Sequence, residues 1–124
     1  MKFAKEMLKI KDKLEDLGHR VITPENMHKP VSRGTHGENA FIKIKHGLIK
    51  LHYQKIKKSD AILAANFSNK IPNYIGGSAF IEMAFAHVLN KKIFLLNPIP
   101  QVSYEDEIIA MSPIIINGDL SKIK

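Results

Sequence analysis

Asp60-Ala61-Ile62-Leu63-Ala64-Ala65-Asn66 is apolar at every inner position and polar at both ends. Neither an amphipathic helix nor a half-solvated strand has that pattern; a strand buried on both faces does. A second such run, Ile93-Phe94-Leu95-Leu96-Asn97, is stopped by Pro98 and Pro100, and Ile114-Ile115-Ile116 reads as a third. The segments between them are helical. Phe67 to Gly77 reads as a loop, Ser78 as an N-cap, and Ala79 to Asn90 as a helix. Ser103 to Met111, with Glu105, Asp106 and Glu107 in its first turn, reads as another.

Upstream, Phe3, Met7, Ile10, Leu14 and Leu17 recur at spacings of three and four, which predicts a helix over Met1–Leu17 capped by Gly18. His19 to Pro24 reads as a short strand, and Glu25 to Glu38, with Pro30, Gly34 and Gly37, as a long loop suited to carry substrate contacts. A helix from about Asn39 to Lys58 follows, with Phe41, Ile44, Leu48 and Leu51 on one stripe. Helix and strand alternate without hairpin turns, so the expected architecture is α/β with a parallel sheet covered on both faces, one domain over residues 1–124. Ligands of such sheets sit beyond the carboxyl ends of the strands, here around Pro24–Gly37, Asn66–Ser78 and Asn97–Pro100.

Composition narrows the function classes. The chain has 124 residues, 44% hydrophobic and 25% charged, within the range of a single globular domain. It has no cysteine, which excludes disulfides, thiol nucleophiles and cysteine-based zinc sites and makes a reducing cytoplasm the expected setting. No apolar run reaches the roughly 18 residues of a membrane span. The formal charge of +7 favours anionic partners. Lys43, Lys45, Lys50, Lys55, Lys57 and Lys58 lie in an acid-free stretch but scatter around the helix, so nucleic acid is not the expected partner. Of the six histidines, His28 and His36 share a loop and His46 and His52 lie six apart on a helix; neither pair has zinc-ligand spacing, and no metal site is expected.

Glu82 is the one carboxylate of "GGSAFIEMAFAHVL", residues 76–89. At about 100° per residue it shares a stripe with Ser78, Phe85, Ala86 and Leu89, near the start of a helix where the macrodipole favours an ionised acid. An ionised, partly desolvated carboxylate at a ligand edge is suited to act as a nucleophile or to stabilise a developing cation.

Around Glu82 the sequence resembles the nucleoside 2-deoxyribosyltransferase family and its deoxynucleoside monophosphate N-glycosidase relatives. Their pattern of a glycine-containing loop, Glu-x-Gly-x-Ala and then Gly-Lys-x-Val/Ile reads here as Gly77 to Ala86 followed by Asn90-Lys91-Lys92-Ile93. Lys58 to Leu63 and Leu17 to Pro24 resemble two strand entries of the same family. The resemblance implies a flavodoxin-like (Rossmann-like) three-layer α/β/α fold without cofactor, in which Glu82 attacks C1′ of a nucleoside or nucleotide. It further implies a homo-oligomer. Asn66, Asn73, Gly76, Gly77 and Ser78 are the candidate substrate contacts, with Arg33 and His36 in the long loop facing a phosphate.

Three departures shape the expectation. The family's glycine two after the glutamate is Ala84. No acid occurs between Asp60 and Glu82, so leaving-group protonation lacks a carboxyl group. The family's central first strand has no counterpart, so that in strand order 2-1-3-4-5 the strands at Val21 and Ile62 would flank an empty slot. Either an upstream segment belongs there, or the sheet closes up, or another subunit lends a strand. Gly76-Gly77 followed by Glu82 is also similar to the glycine loop of lysine-decarboxylase-like phosphoribohydrolases, which break the same bond in ribonucleotides. A non-catalytic nucleotide-binding sensor or assembly domain of the same fold is the alternative.

Overall fold

The computed structural model describes residues 4–23 and 38–124, with side chains described for 4–23 and 46–124. Two compact units divide the chain, Met1–Lys55 and Ile56–Lys124.

The first unit contains helix α1 (Ala4–Asp16) and most of α2 (Glu38–Lys57), whose last residues enter the second unit. Gly18 ends α1 as the sequence predicts. At φ 95° it turns the chain so that its N–H donates to the Glu15 carbonyl at 3.0 Å and the His19 N–H to the Leu14 carbonyl at 3.0 Å. That pair of bonds closes the carbonyls a helix end leaves open. The strand expected at His19–Pro24 is absent: residues 19–23 carry no strand, and the Thr23 carbonyl accepts from Lys55 Nζ at 3.0 Å. A strand needs a ladder partner for its N–H and C=O groups, and among the described residues no sheet pairing includes this stretch.

The second unit is a parallel α/β unit with strands β1 (Ala61–Ala64), β2 (Lys92–Leu95) and β3 (Ile114–Ile115) in the order β1-β2-β3. Helix α3 (Gly77–Val88) connects β1 to β2, and α4 (Glu105–Ala110) connects β2 to β3. Ala61 to Ala64 pair with Lys92 to Leu95, and Phe94 and Leu95 with Ile114 and Ile115. Among the described residues it is a small open parallel sheet of three strands, of the Rossmann or flavodoxin kind.

Two apolar runs of similar composition take different places in it. β2 is central: Ile93, Phe94, Leu95 and Leu96 are all at most 7% exposed, so both faces are covered. Among the described residues β1 lies at an edge of this sheet and, of its residues, only Ala64 is fully buried, against the expectation of a doubly covered strand. Ile93 and Leu95, alternate residues of β2, join Ile75, Met83, Ala86, Ile108 and Met111 in one core, which seats α3 and α4 against the sheet. A short 3-10 turn, Leu120–Lys122, follows, with the Asp119 carboxylate accepting from the Ser121 N–H. The Ser121 contacts hold that carboxyl below its ordinary range.

Both ends of α3 differ from the sequence expectation. Gly76, not Ser78, is the N-cap, and Gly77 is the first helical residue. Glycine at an N-cap costs little compared with serine, and starting the helix earlier lets the Phe80 N–H reach the Gly76 carbonyl at 3.0 Å. At the other end the helix stops at Val88. Asn90 adopts φ 59°, and the Lys91 and Asn90 N–H groups donate to Ala86 and His87, the same closure as at Gly18. Among the described residues no helix is long and apolar enough to cross a membrane.

Candidate functional site

The carboxyl ends of β1 and β2 lead into two loops, residues 65–76 and 96–104, each with an asparagine two positions past a paired residue. Ala64 pairs with Leu95, so Asn66 and Asn97 face each other. Asn66 is buried, 3% exposed, and its amide is fully engaged with backbone. Nδ2 donates to the carbonyls of Asn97 (3.0 Å), Pro98 (3.0 Å) and Asn73 (3.3 Å), and Oδ1 accepts from the Asn97 N–H at 2.8 Å. Asn97 returns the contact, its Nδ2 donating to the Asn66 carbonyl at 3.0 Å. Placing a neutral amide here gives partly buried backbone groups of both loops hydrogen-bond partners. Both N–H groups of the amide expected to meet a substrate are thereby taken up by backbone carbonyls.

The first loop is held at further points. Asn73, partly buried and at φ 59°, donates its N–H to Ser68 Oγ at 2.9 Å. The Ile71 N–H donates to Asn69 Oδ1 at 2.9 Å. The Tyr104 hydroxyl, from the start of α4, donates to the Ile75 carbonyl. The Tyr104 ring packs at 4.9 Å from that of Phe80 in the first turn of α3. Burial pushes the Tyr104 phenol above the ordinary tyrosine range, and the adjacent Tyr74 hydroxyl adds to the rise. Tyr74 also lies across the helix cap: a Cβ built on Gly76 would stand 3.3 Å from its Cε2. Around Gly77 no atom lies within 4 Å of such a Cβ.

Glu82 is partly buried. Because α3 begins at Gly77, Glu82 is in its second turn and not its first, and no acid lies in the first turn. It stands about 9 Å along the axis from the cap at 1.5 Å per residue. The macrodipole acts mainly within the first turn, so its hold on Glu82 is weaker than the sequence reading supposed. The apolar surroundings are as read: Ala86, about 40° away on the wheel, is fully buried, and Phe85 and Leu89 pack against the core. Glu82 is the only acid between Asp60 and Glu105.

The structure therefore brings Asn66, Asn73, Gly76, Gly77 and Ser78 to one rim at the carboxyl end of the sheet, with Ser78 exposed and Glu82 one turn below it. Arg33 and His36 lie outside the described residues. Asn97, Tyr74 and Tyr104 belong to the rim and were not singled out from the sequence. For Asn97 a signal existed, since both apolar strand runs end in asparagine. Among the described residues no cluster of three or more His, Asp or Glu side chains is placed to hold a metal ion.

Comparison with family models, with curated proteins and with solved structures gives no match for this chain.

Proposed function

We propose that the protein cleaves or transfers the N-glycosidic bond of a nucleoside or nucleoside 5′-monophosphate, with Glu82 as nucleophile. The observation that carries this reading is the place of Glu82, a partly buried carboxylate one helical turn from a glycine-rich helix start at the carboxyl edge of a parallel sheet. In the proposed step a Glu82 oxygen bonds to C1′ as the C1′–N bond breaks. The base leaves with the electron pair and takes up a proton, and water or a second base then displaces the glutamyl ester. Gly76, Gly77 and Ser78, whose N–H groups open α3, are suited to an anionic end of the substrate. The resemblance around Glu82 supports the reading at a further position: Asn90, where the family pattern has glycine, is in the left-handed conformation that asparagine tolerates.

The alternative, a nucleotide-binding module without turnover, is favoured by one observation. Glu82 is the only acid from β1 to the start of α4, so the base has no carboxyl donor from these loops. Incubation with each deoxynucleoside and its 5′-monophosphate, followed by chromatography for free base, separates the two. Base release by the wild type, lowered by roughly three orders of magnitude in Glu82→Gln, is expected of the glycosidase. No release, or release unchanged in Glu82→Gln, sinks it, and nucleotide binding without turnover establishes the module. A homo-oligomer and a cytoplasmic setting belong to the same proposal; light scattering of the purified protein checks the first.

A further inference from the structure

We infer that Asn66 is a positioning residue that makes the two strand-end loops a single rigid rim, so that the loop leading into α3 is a fixed wall of the site and not a lid. Three observations converge. Asn66 is the one buried polar residue of its unit among the described residues, and all its partners are backbone groups. Those partners belong to both loops, Asn73 on one side and Asn97 and Pro98 on the other, so neither loop can shift without breaking bonds to the other. The far end of the first loop is held independently by Tyr104 at Ile75. A lid needs a segment whose opening costs little, with few internal bonds; here both ends of the loop are tied to elements that frame the sheet.

The consequence rests on the function proposed above. Glu82 is set at a fixed offset from Gly76, so the position of the carboxylate relative to a substrate at the rim is determined by where this loop delivers the helix start. Asn66 touches no substrate in this scheme. It acts through the backbone of residues 73–77, and a misplacement of the order of 1 Å at a reacting group can lower a rate about 100-fold.

Amide hydrogen exchange of the full-length protein, well below its melting temperature, tests the mechanical claim without any substrate. In Asn66→Ala the amides of Asn73 and Asn97 are expected to lose protection together, by tenfold or more, while those of Ile108 and Met111 in and after α4 keep theirs. Loss at Asn97 alone, or uniform loss across the unit, overturns the rigid-rim reading. If Asn66→Ala does not fold, Asn97→Ala removes only the single return bond to the Asn66 carbonyl and is expected to show the same paired loss at smaller amplitude. Base release then tests the positioning claim at a temperature where both proteins are folded. Asn66→Ala is expected to lower kcat at least tenfold with KM within twofold, and an unchanged kcat overturns it. Absence of base release in the wild type counts against the proposed reaction and leaves the exchange result to stand or fall alone.

Discussion

Asn66→Asp replaces the Nδ2 amide by an oxygen of nearly the same size, so its effect isolates hydrogen-bond polarity from packing. In the wild type two N–H groups serve three carbonyls at 3.0, 3.0 and 3.3 Å. At about 1 kcal/mol net per bond, loss of both donors costs about 2 kcal/mol. An ionised carboxylate would also face those carbonyl oxygens while buried, which raises its folded pKa, and each unit of rise costs about 1.4 kcal/mol at neutral pH. The expected destabilisation at pH 7 is therefore at least about 3 kcal/mol. Near pH 4 the protonated acid keeps one O–H donor, and the cost falls to about 1 kcal/mol. The sign follows from proton binding: as pH rises above about 4 the unfolded state releases a proton that the folded state retains, so the variant loses stability relative to wild type with rising pH. Every partner of Asn66 is a backbone group, so no second titration at the site complicates the difference. Urea unfolding of both proteins at pH 4 and pH 7 measures it, with the midpoint at pH 7 lowered by about 1.5 M if the slope is about 2 kcal/mol/M. An equal destabilisation at the two pH values, or one below about 1 kcal/mol at pH 7, would refute the assignment of Asn66 as an amide donor to three carbonyls.

The helix start offers a paired test. Gly76→Ala places a Cβ 3.3 Å from the Tyr74 ring at an N-cap where alanine is disfavoured, and should cost about 1 kcal/mol, read as a fall of about 4 °C in Tm. Gly77→Ala meets no atom within 4 Å and replaces a glycine inside a helix, so it should leave stability unchanged or raise it by up to about 1 kcal/mol. Tyr104 has its phenol pKa raised above 10.0, so the folded state holds its proton longer than the unfolded state. Stability should fall as pH rises past about 10, and Tyr104→Phe should flatten that alkaline slope.

Much of this molecule is visible in its residue pattern. Helix positions follow from apolar spacing, and Gly18 ends α1 as read, because only a left-handed residue lets the chain close the last carbonyls. The apolar runs at 60–66 and 93–97 both contain strands, but only β2 has the sheet interior that such a run predicts; β1 is partly exposed. Glu82 is conspicuous in the sequence as the only acid between Asp60 and Glu105, and the structure leaves it partly buried on α3.

What the residues one at a time do not determine is who neighbours whom. Ala61–Ala64 and Lys92–Leu95 look alike as strings, and only pairing makes β2 the central strand and β1 an edge strand of this sheet. Val21 sits in a β-branched stretch yet forms no strand, and no sheet pairing among the described residues includes it. Asn66 shows the same limit most sharply. Its amide reads equally well as a ligand contact or a brace, and the pairing of Ala64 with Leu95 brings Asn97 opposite it and gives the amide to the backbone. Local periodicity is written along the chain and can be read there; the partner of a buried polar group is fixed only when distant segments meet.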